Sequence, residues 1–176
     1  MTIYIVAGMH RSGTSLVARV LHESGIIMGT EKTFYPEPND ENPNGFFENR
    51  HFRKINDQLL ANSGYDVKSW KTIIPSVKSN GKLNDKMEKI LNEYSWAFNE
   101  WGFKDPRFCL TWQCWLPHLK KHRDVRIVYV YRNPLSVAKS LLKRGNVDNV
   151  EHGLILWSLY NIRFENVSLH FKSYYV

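Results

Sequence analysis

A three-layer α/β fold with a parallel sheet is predicted by three features of the chain. A β-branched and aromatic run, Thr2–Ala7, is stopped by Gly8 and followed by a helical pattern. A second run, 125–131, is apolar apart from Arg126, as a parallel strand covered on both faces should be. Directly after it, Asn133 and Pro134 supply an N-cap and a first-turn proline for another helix. Strands that alternate with helices place the helices on both faces of one sheet.

The elements follow in order. Beyond the first strand, Leu16, Val17, Val20 and Leu21 recur at helical spacing up to Gly25, a suitable residue just past a helix end. Residues 29–45 hold three prolines, two glycines and several Asn and Asp residues, which predicts a long loop. Phe52, Ile55, Leu59 and Leu60 then share one face of a helix placed over 47–62. Residues 64–82 mix Gly, Pro, Ser and Lys around Trp70 and read as an irregular excursion within the domain. Met87, Ile90, Leu91, Tyr94, Phe98 and Trp101 recur at steps of three and four before Gly102, the pattern of an amphipathic helix. A brief extended stretch through Phe103 and Lys104, a helix over 110–119, the strand 125–131 and the helix after Pro134 come next. A helix over 150–166 and the opening of a strand at 174–176 complete the pattern.

Composition narrows the function classes. At 176 residues and 20.7 kDa, residues 1–176 form a single domain long enough to bury a core. Hydrophobic residues at 43% and charged residues at 23% exclude disorder, collagen-like repeats and a coiled coil as descriptions of the whole chain. No apolar run approaches the roughly 18 residues that a membrane span needs, and residues 3–7 lack the basic lead of a secretory signal, so a cytoplasmic location is expected. Cys109 and Cys114 have neither the spacing of a zinc clamp nor the number for a disulfide framework, and they read as packing residues. The net charge of +7 favours an anionic partner without saying which.

Two places carry chemistry. Gly8 to Ser15, GMHRSGTS, has the G-x-x-x-x-G spacing of a phosphate loop and falls between a strand and a helix, where backbone N–H groups and the helix N-terminus cradle an anion. The same spacing also describes a tight turn between strand and helix. In nucleotide-hydrolysing loops a Lys follows the second Gly; here that residue is Thr14, and the cation in the loop is Arg11. At the end of the strand 125–131, where Mg-nucleotide enzymes tend to place an Asp, the chain has Arg132. An Arg there can bind phosphate by paired hydrogen bonds and cannot hold a cation, although Arg132 and Ser140 taken singly also fit an ordinary surface Arg and a helix Ser. Ser140 lies about two turns further on.

Together these segments resemble the sulfotransferase family. The loop Gly8 to Ser15 is similar to the 5′-phosphosulfate loop in the HRSGTS form of bacterial members, and VYVYRNPLSVAKS is similar to the 3′-phosphate motif; NPNGFFEN and GFKDPR, between them, are similar to further family segments. The resemblance implies a nucleotide-kinase-like parallel sheet and transfer of a sulfuryl group from 3′-phosphoadenosine 5′-phosphosulfate to an acceptor hydroxyl or amine, leaving 3′,5′-adenosine bisphosphate. It implies donor contacts from Arg11, Ser12, Gly13, Thr14 and Ser15, and 3′-phosphate contacts from Arg132 and Ser140. It implies catalytic roles for Arg11 at the leaving phosphate, Lys104 at the sulfuryl group and Glu48 as general base, with His51 as second choice for the base. No metal is required, because a sulfuryl group carries less charge than a phosphoryl group. The chain departs from the family at Arg11, where many cytosolic members have Lys, and at Ser136, where Asp is common. Family domains also run past 176 residues, so the resemblance implies a short member or a fragment.

Other readings stay open at this level. Glu48 also suits the first turn of the helix 47–62, where it would face the positive end of the dipole. Asp105 and Arg107 fit a structural ion pair or an acceptor contact equally. His10 and the other histidines lack metal-ligand spacing and are expected to be non-catalytic. Trp70 is a candidate for stacking on a sugar; carbohydrate, lipid, peptide and small alcohol all remain possible acceptors, and nucleic acid is not expected. A P-loop nucleotide or phosphate kinase, or a catalytically silent nucleotide-binding module, are the alternatives from other classes.

Overall fold

The computed structural model describes residues 1–36, 38, 42–43 and 45–176. Five positions of the expected loop, 37, 39–41 and 44, lie outside the described residues, and the last of them is also a position of NPNGFFEN.

Four parallel strands, β1 (Thr2–Ala7), β2 (Glu100–Lys104), β3 (Val125–Tyr129) and β4 (Lys172–Tyr175), form one sheet in the order β2-β1-β3-β4. The helices are α1 (Thr14–Glu23), α2 (Arg50–Asn62), α3 (Gly81–Ala97), α4 (Phe108–Leu119), α5 (Pro134–Lys143) and α6 (Val150–Phe164). Period-2 alternation in β1 sends Ile3, Ile5 and Ala7 to one face, where they pack with residues of α2, α3, α4, α5 and α6. Val6 joins Val128, Val130 and Ala18 of α1 on the other. Two apolar clusters on opposite faces of one sheet make the three layers that the sequence predicts. No described helix is long and apolar enough to cross a membrane.

Several boundaries differ from the sequence-based expectation. The helix expected to reach Trp101 ends at Ala97, and Trp101 is a fully buried β2 residue paired in register with Ile3. Helical steps of three continue onto a strand by coincidence of spacing, and pairing with β1 overrides them. The helix placed over 47–62 begins only at Arg50, because the side chain of Asn49 caps it by accepting the His51 N–H at 3.1 Å. β3 stops at Tyr129 rather than 131, and β4 starts at Lys172 rather than 174. Asn133 and Pro134 cap α5 as expected, with Asn133 Oδ1 accepting from Ser136 N. Both cysteines are free and buried.

This architecture gathers one end of the sheet. The register that pairs Val6 with Lys104 and Ala7 with Tyr129 brings the carboxyl ends of β1, β2 and β3 level. In open parallel sheets that edge is where ligands bind.

Candidate active site

The loop after β1 is built by its glycines. Gly8 adopts φ 152°, and a Cβ there would stand 2.4 Å from the carbonyl oxygen of Val130, so only glycine lets the loop leave the sheet at this point. Gly13, at φ 96°, turns the chain into α1. The first-turn amides of Thr14 and Ser15 have no partner within the helix and point out of its N-terminus. Thr14 and Ser15 line the cleft, whereas Ser12 is buried behind the loop.

Residues far apart in sequence meet beside this loop. Arg11 donates from Nε to Ser140 Oγ at 3.1 Å, and Arg132 donates from Nη1 to the carbonyl oxygen of Arg11 at 3.0 Å. The three groups expected at the two phosphates of a donor therefore form one cluster. Burial and the charge of Arg132 lower the pKa of Arg11, while burial and the charge of Arg11 lower that of Arg144. Cations that disfavour one another's charge gain when an anion arrives. A cleft of 780 Å³ runs from this cluster to Lys104 and Glu48; among the described residues seven Arg and Lys side chains line it against one carboxylate, Glu48.

Glu48 is not a first-turn helix residue. It sits one residue before the cap of α2, in an isolated bridge to Lys104, and is 5% exposed. Lys104 Nζ donates to Oε1 at 2.9 Å, and Arg53 and Arg107 donate to Oε2 at 2.9 and 3.3 Å. Burial by itself would raise the pKa of this carboxyl; Lys104, Arg107 and Arg53 outweigh it and hold the value at about 2. Arg107 is fixed in turn by Asp105 Oδ1 at 2.9 Å, and its Nε lies 2.7 Å from Asp57 Oδ1 without hydrogen-bond alignment. Asp105 accepts from Asn56, whose Oδ1 takes bonds from Thr111 and Trp115, all at 2.8 Å. Asp105 and Arg107 thus form the ion-pair alternative of the two the sequence left open. Sequence reasoning missed Arg53 as a cage residue, because an i, i+5 contact from a loop residue onto a helix has no periodic signature.

The histidines separate. His51 is exposed and lines a groove between α2 and α3, not the cleft. His10 lines the cleft, with its ring edge-on to Trp70 at 5.2 Å and Tyr160 at 5.8 Å. Burial, followed by Arg107, lowers its pKa to about 3, so its ring is neutral near pH 7. Backbone strain also concentrates here. The non-glycine residues with left-handed φ among those described are Arg11 (69°), Phe47 (53°) and Trp70 (51°); Arg11 and Trp70 line the cleft, and Phe47 turns the chain into Glu48. Such conformations cost on the order of 1–3 kcal/mol each and cluster at functional sites.

The lowered pKa values of His10 and Glu48 contribute to the acid limb of stability. Each group binds fewer protons folded than unfolded, so each contributes stability at higher pH that is lost as pH falls. For His10 the window runs from 6.5 down to about 3, and for Glu48 from 4.5 down to about 2. Urea unfolding between pH 6 and pH 3 should show the wild type losing stability more steeply than Glu48→Gln, by up to about 1.4 kcal/mol per pH unit where one proton is taken up. Parallel slopes for the two proteins would mean that Glu48 titrates normally.

No family model and no curated protein matches the chain. Among solved structures it is similar to the sulfotransferase domain from the Synechococcus PCC 7002 olefin synthase, with a TM-score of 0.52 at 16% identity. The fold is that of a sulfotransferase domain. The match covers 99% of this chain and 66% of that one, so the chain spans about two thirds of the length of its structural relative.

Proposed function

We propose that the protein transfers a sulfuryl group from 3′-phosphoadenosine 5′-phosphosulfate to an acceptor hydroxyl. The observation that carries this reading is the meeting of Arg11, Arg132 and Ser140 at the phosphate loop, across 121 and 129 residues of sequence. The donor carries about four negative charges at neutral pH, and the excess of cations in the cleft suits it.

When bound, the donor supplies a sulfuryl group attached to the 5′-phosphate oxygen. The amides of Thr14 and Ser15, beside Gly13 and Ser12, hold that phosphate at the helix N-terminus. Arg11 neutralises it as the sulfur–oxygen bond breaks, and Arg132 with Ser140 holds the 3′-phosphate. Leu16, 66% exposed on the cleft wall, offers an apolar surface to the donor's adenine ring. Sharing Lys104 with the sulfuryl oxygens would weaken its hold on Oε1 and so raise the basicity of the carboxylate. Glu48 then takes the acceptor proton while the acceptor oxygen bonds to sulfur. Transfer is mostly positioning and charge stabilisation, which a fixed cage of side chains supplies.

Calorimetry and thermal unfolding with 3′,5′-adenosine bisphosphate test the reading without an acceptor. Metal-free binding is expected, tighter than for adenosine 5′-phosphate or for ATP with Mg. At a hundredfold excess over Kd the bisphosphate should stabilise the fold by about 2.7 kcal/mol, read as a higher Tm. Equal affinity for adenosine 5′-phosphate would remove the 3′-phosphate assignment, and tighter binding of Mg-ATP would favour a kinase.

A further inference from the structure

We infer that the acceptor is an acidic carbohydrate, lying across two adjoining wall sections that each combine an aromatic ring with an unpaired cation. The inference rests on the sulfuryl-transfer reading and names the substrate class of the same site.

The first section is the excursion after α2. Trp70 lines the cleft in a left-handed conformation; its carbonyl oxygen is bound by His152 Nε2 at 2.8 Å, and Tyr65 donates to the carbonyl oxygen of Lys71 at 2.9 Å. A half-buried indole held this way is a fixed platform, and Lys68 stands exposed beside it on the cleft wall. The second section is a groove of 640 Å³ along α2, lined by Tyr35, Arg50, Arg53, Lys54, Asp57 and Gln58; its one carboxylate, Asp57, is paired with Arg53 and Arg107, which leaves Arg50 and Lys54 to face a ligand. The sections join at Arg53, whose guanidinium lies 4.9 Å from the Tyr35 ring centroid and 2.9 Å from Glu48. A ligand crossing from one to the other passes the proposed base.

The chemistry selects the ligand. Arg50, Lys54 and Lys68 are exposed and make no ion pair or side-chain hydrogen bond with another described residue, unlike Arg53 and Arg107 deeper in. Unpaired cations at intervals call for carboxylates or sulfates at intervals. Aromatic rings between them suit the apolar C–H faces of sugar rings, and Gln58 and Asn146 offer side-chain amides to hydroxyls. An extended peptide that bound by adding a strand would need a free sheet edge. The edge of β2 facing this side is already taken, at Trp101 by Ile27 and at Lys104 by Glu48.

The test uses the 176-residue protein saturated with 3′,5′-adenosine bisphosphate and titrated with a hyaluronan hexasaccharide or its carboxyl-reduced counterpart. The acidic form should bind at least about tenfold more tightly, with affinity falling as salt rises. The variant Arg50→Gln/Lys54→Gln, which leaves the donor cleft untouched, should lose that preference and keep its bisphosphate affinity. Lys120→Gln/Arg123→Gln removes the same charge just before β3, at the opposite end of the sheet, and should keep it. Equal affinity for the two sugars, no binding of either, or equal loss in both variants would overturn the inference while the donor reading stands. Tighter binding of a tyrosine-containing poly-glutamate peptide, lost in the first variant, would replace carbohydrate by acidic peptide. Failure to bind the bisphosphate would overturn the donor reading and this inference with it.

Discussion

Glu48→Gln is expected to slow sulfuryl transfer by about 100- to 10,000-fold while the protein still binds 3′,5′-adenosine bisphosphate. The carboxylate is the only described one on the cleft wall, and a neutral amide cannot accept the proton of the attacking hydroxyl. The same change removes the shared partner of Lys104, Arg53 and Arg107. Breaking a buried pair costs about 3–5 kcal/mol, a large share of the roughly 5–15 kcal/mol by which a domain is stable. Glu48→Asp separates the two effects. It keeps a negative charge in the cage, so most of the stability should return in urea unfolding, whereas the shorter side chain withdraws the base from the acceptor and leaves transfer slow. Single-turnover transfer with a competent acceptor, beside bisphosphate titration of both variants, makes the measurement. Full transfer in Glu48→Gln would place the base elsewhere, and His10, neutral and lining the same cleft, would be tested next.

Arg132→Ala should weaken 3′,5′-adenosine bisphosphate by about 1.5–3 kcal/mol, roughly 10- to 150-fold, and leave adenosine 5′-phosphate unaffected. Arg132 is exposed at the sheet end and its side chain bonds the phosphate loop at the Arg11 carbonyl, so its removal should cost little stability. Ser140→Ala should have a smaller effect, because a neutral hydrogen bond is weaker than a charge-assisted one. Calorimetry of the two ligands against the two variants checks both statements. A parallel loss for both nucleotides would show that Arg132 shapes the loop and does not read the 3′-phosphate.

Much of the fold was legible because local pattern and tertiary role agree. The run Thr2–Ala7 is a strand in any buried setting, Gly8 and Gly13 sit where the loop needs left-handed or crowded backbone, and Asn133-Pro134 caps α5 in sequence and in structure. Trp101 was misread because a helix face and a strand face can share a residue spacing over two or three positions, and only the partner Ile3 decides between them. Glu48 was misplaced for a related reason. A cap at Asn49 ends helical geometry one residue before the carboxylate, and that cap depends on where the backbone turns at Phe47.

The sequence by itself determined the alternation of strands and helices, the phosphate-type loop, the cation in place of an acid after β3, and thereby the parallel α/β sheet. These are local choices, set by periodicity, glycine and capping within about ten residues. Only the tertiary structure decided that Arg11, Arg132 and Ser140 form one cluster, that Glu48 lies in a cage of Lys104, Arg53 and Arg107, and that His51 faces away from the cleft. Those contacts join strand ends and loops as much as 129 residues apart, and their energies depend on burial and on which charges share it. Neither burial nor charge neighbours are written in any local stretch of chain.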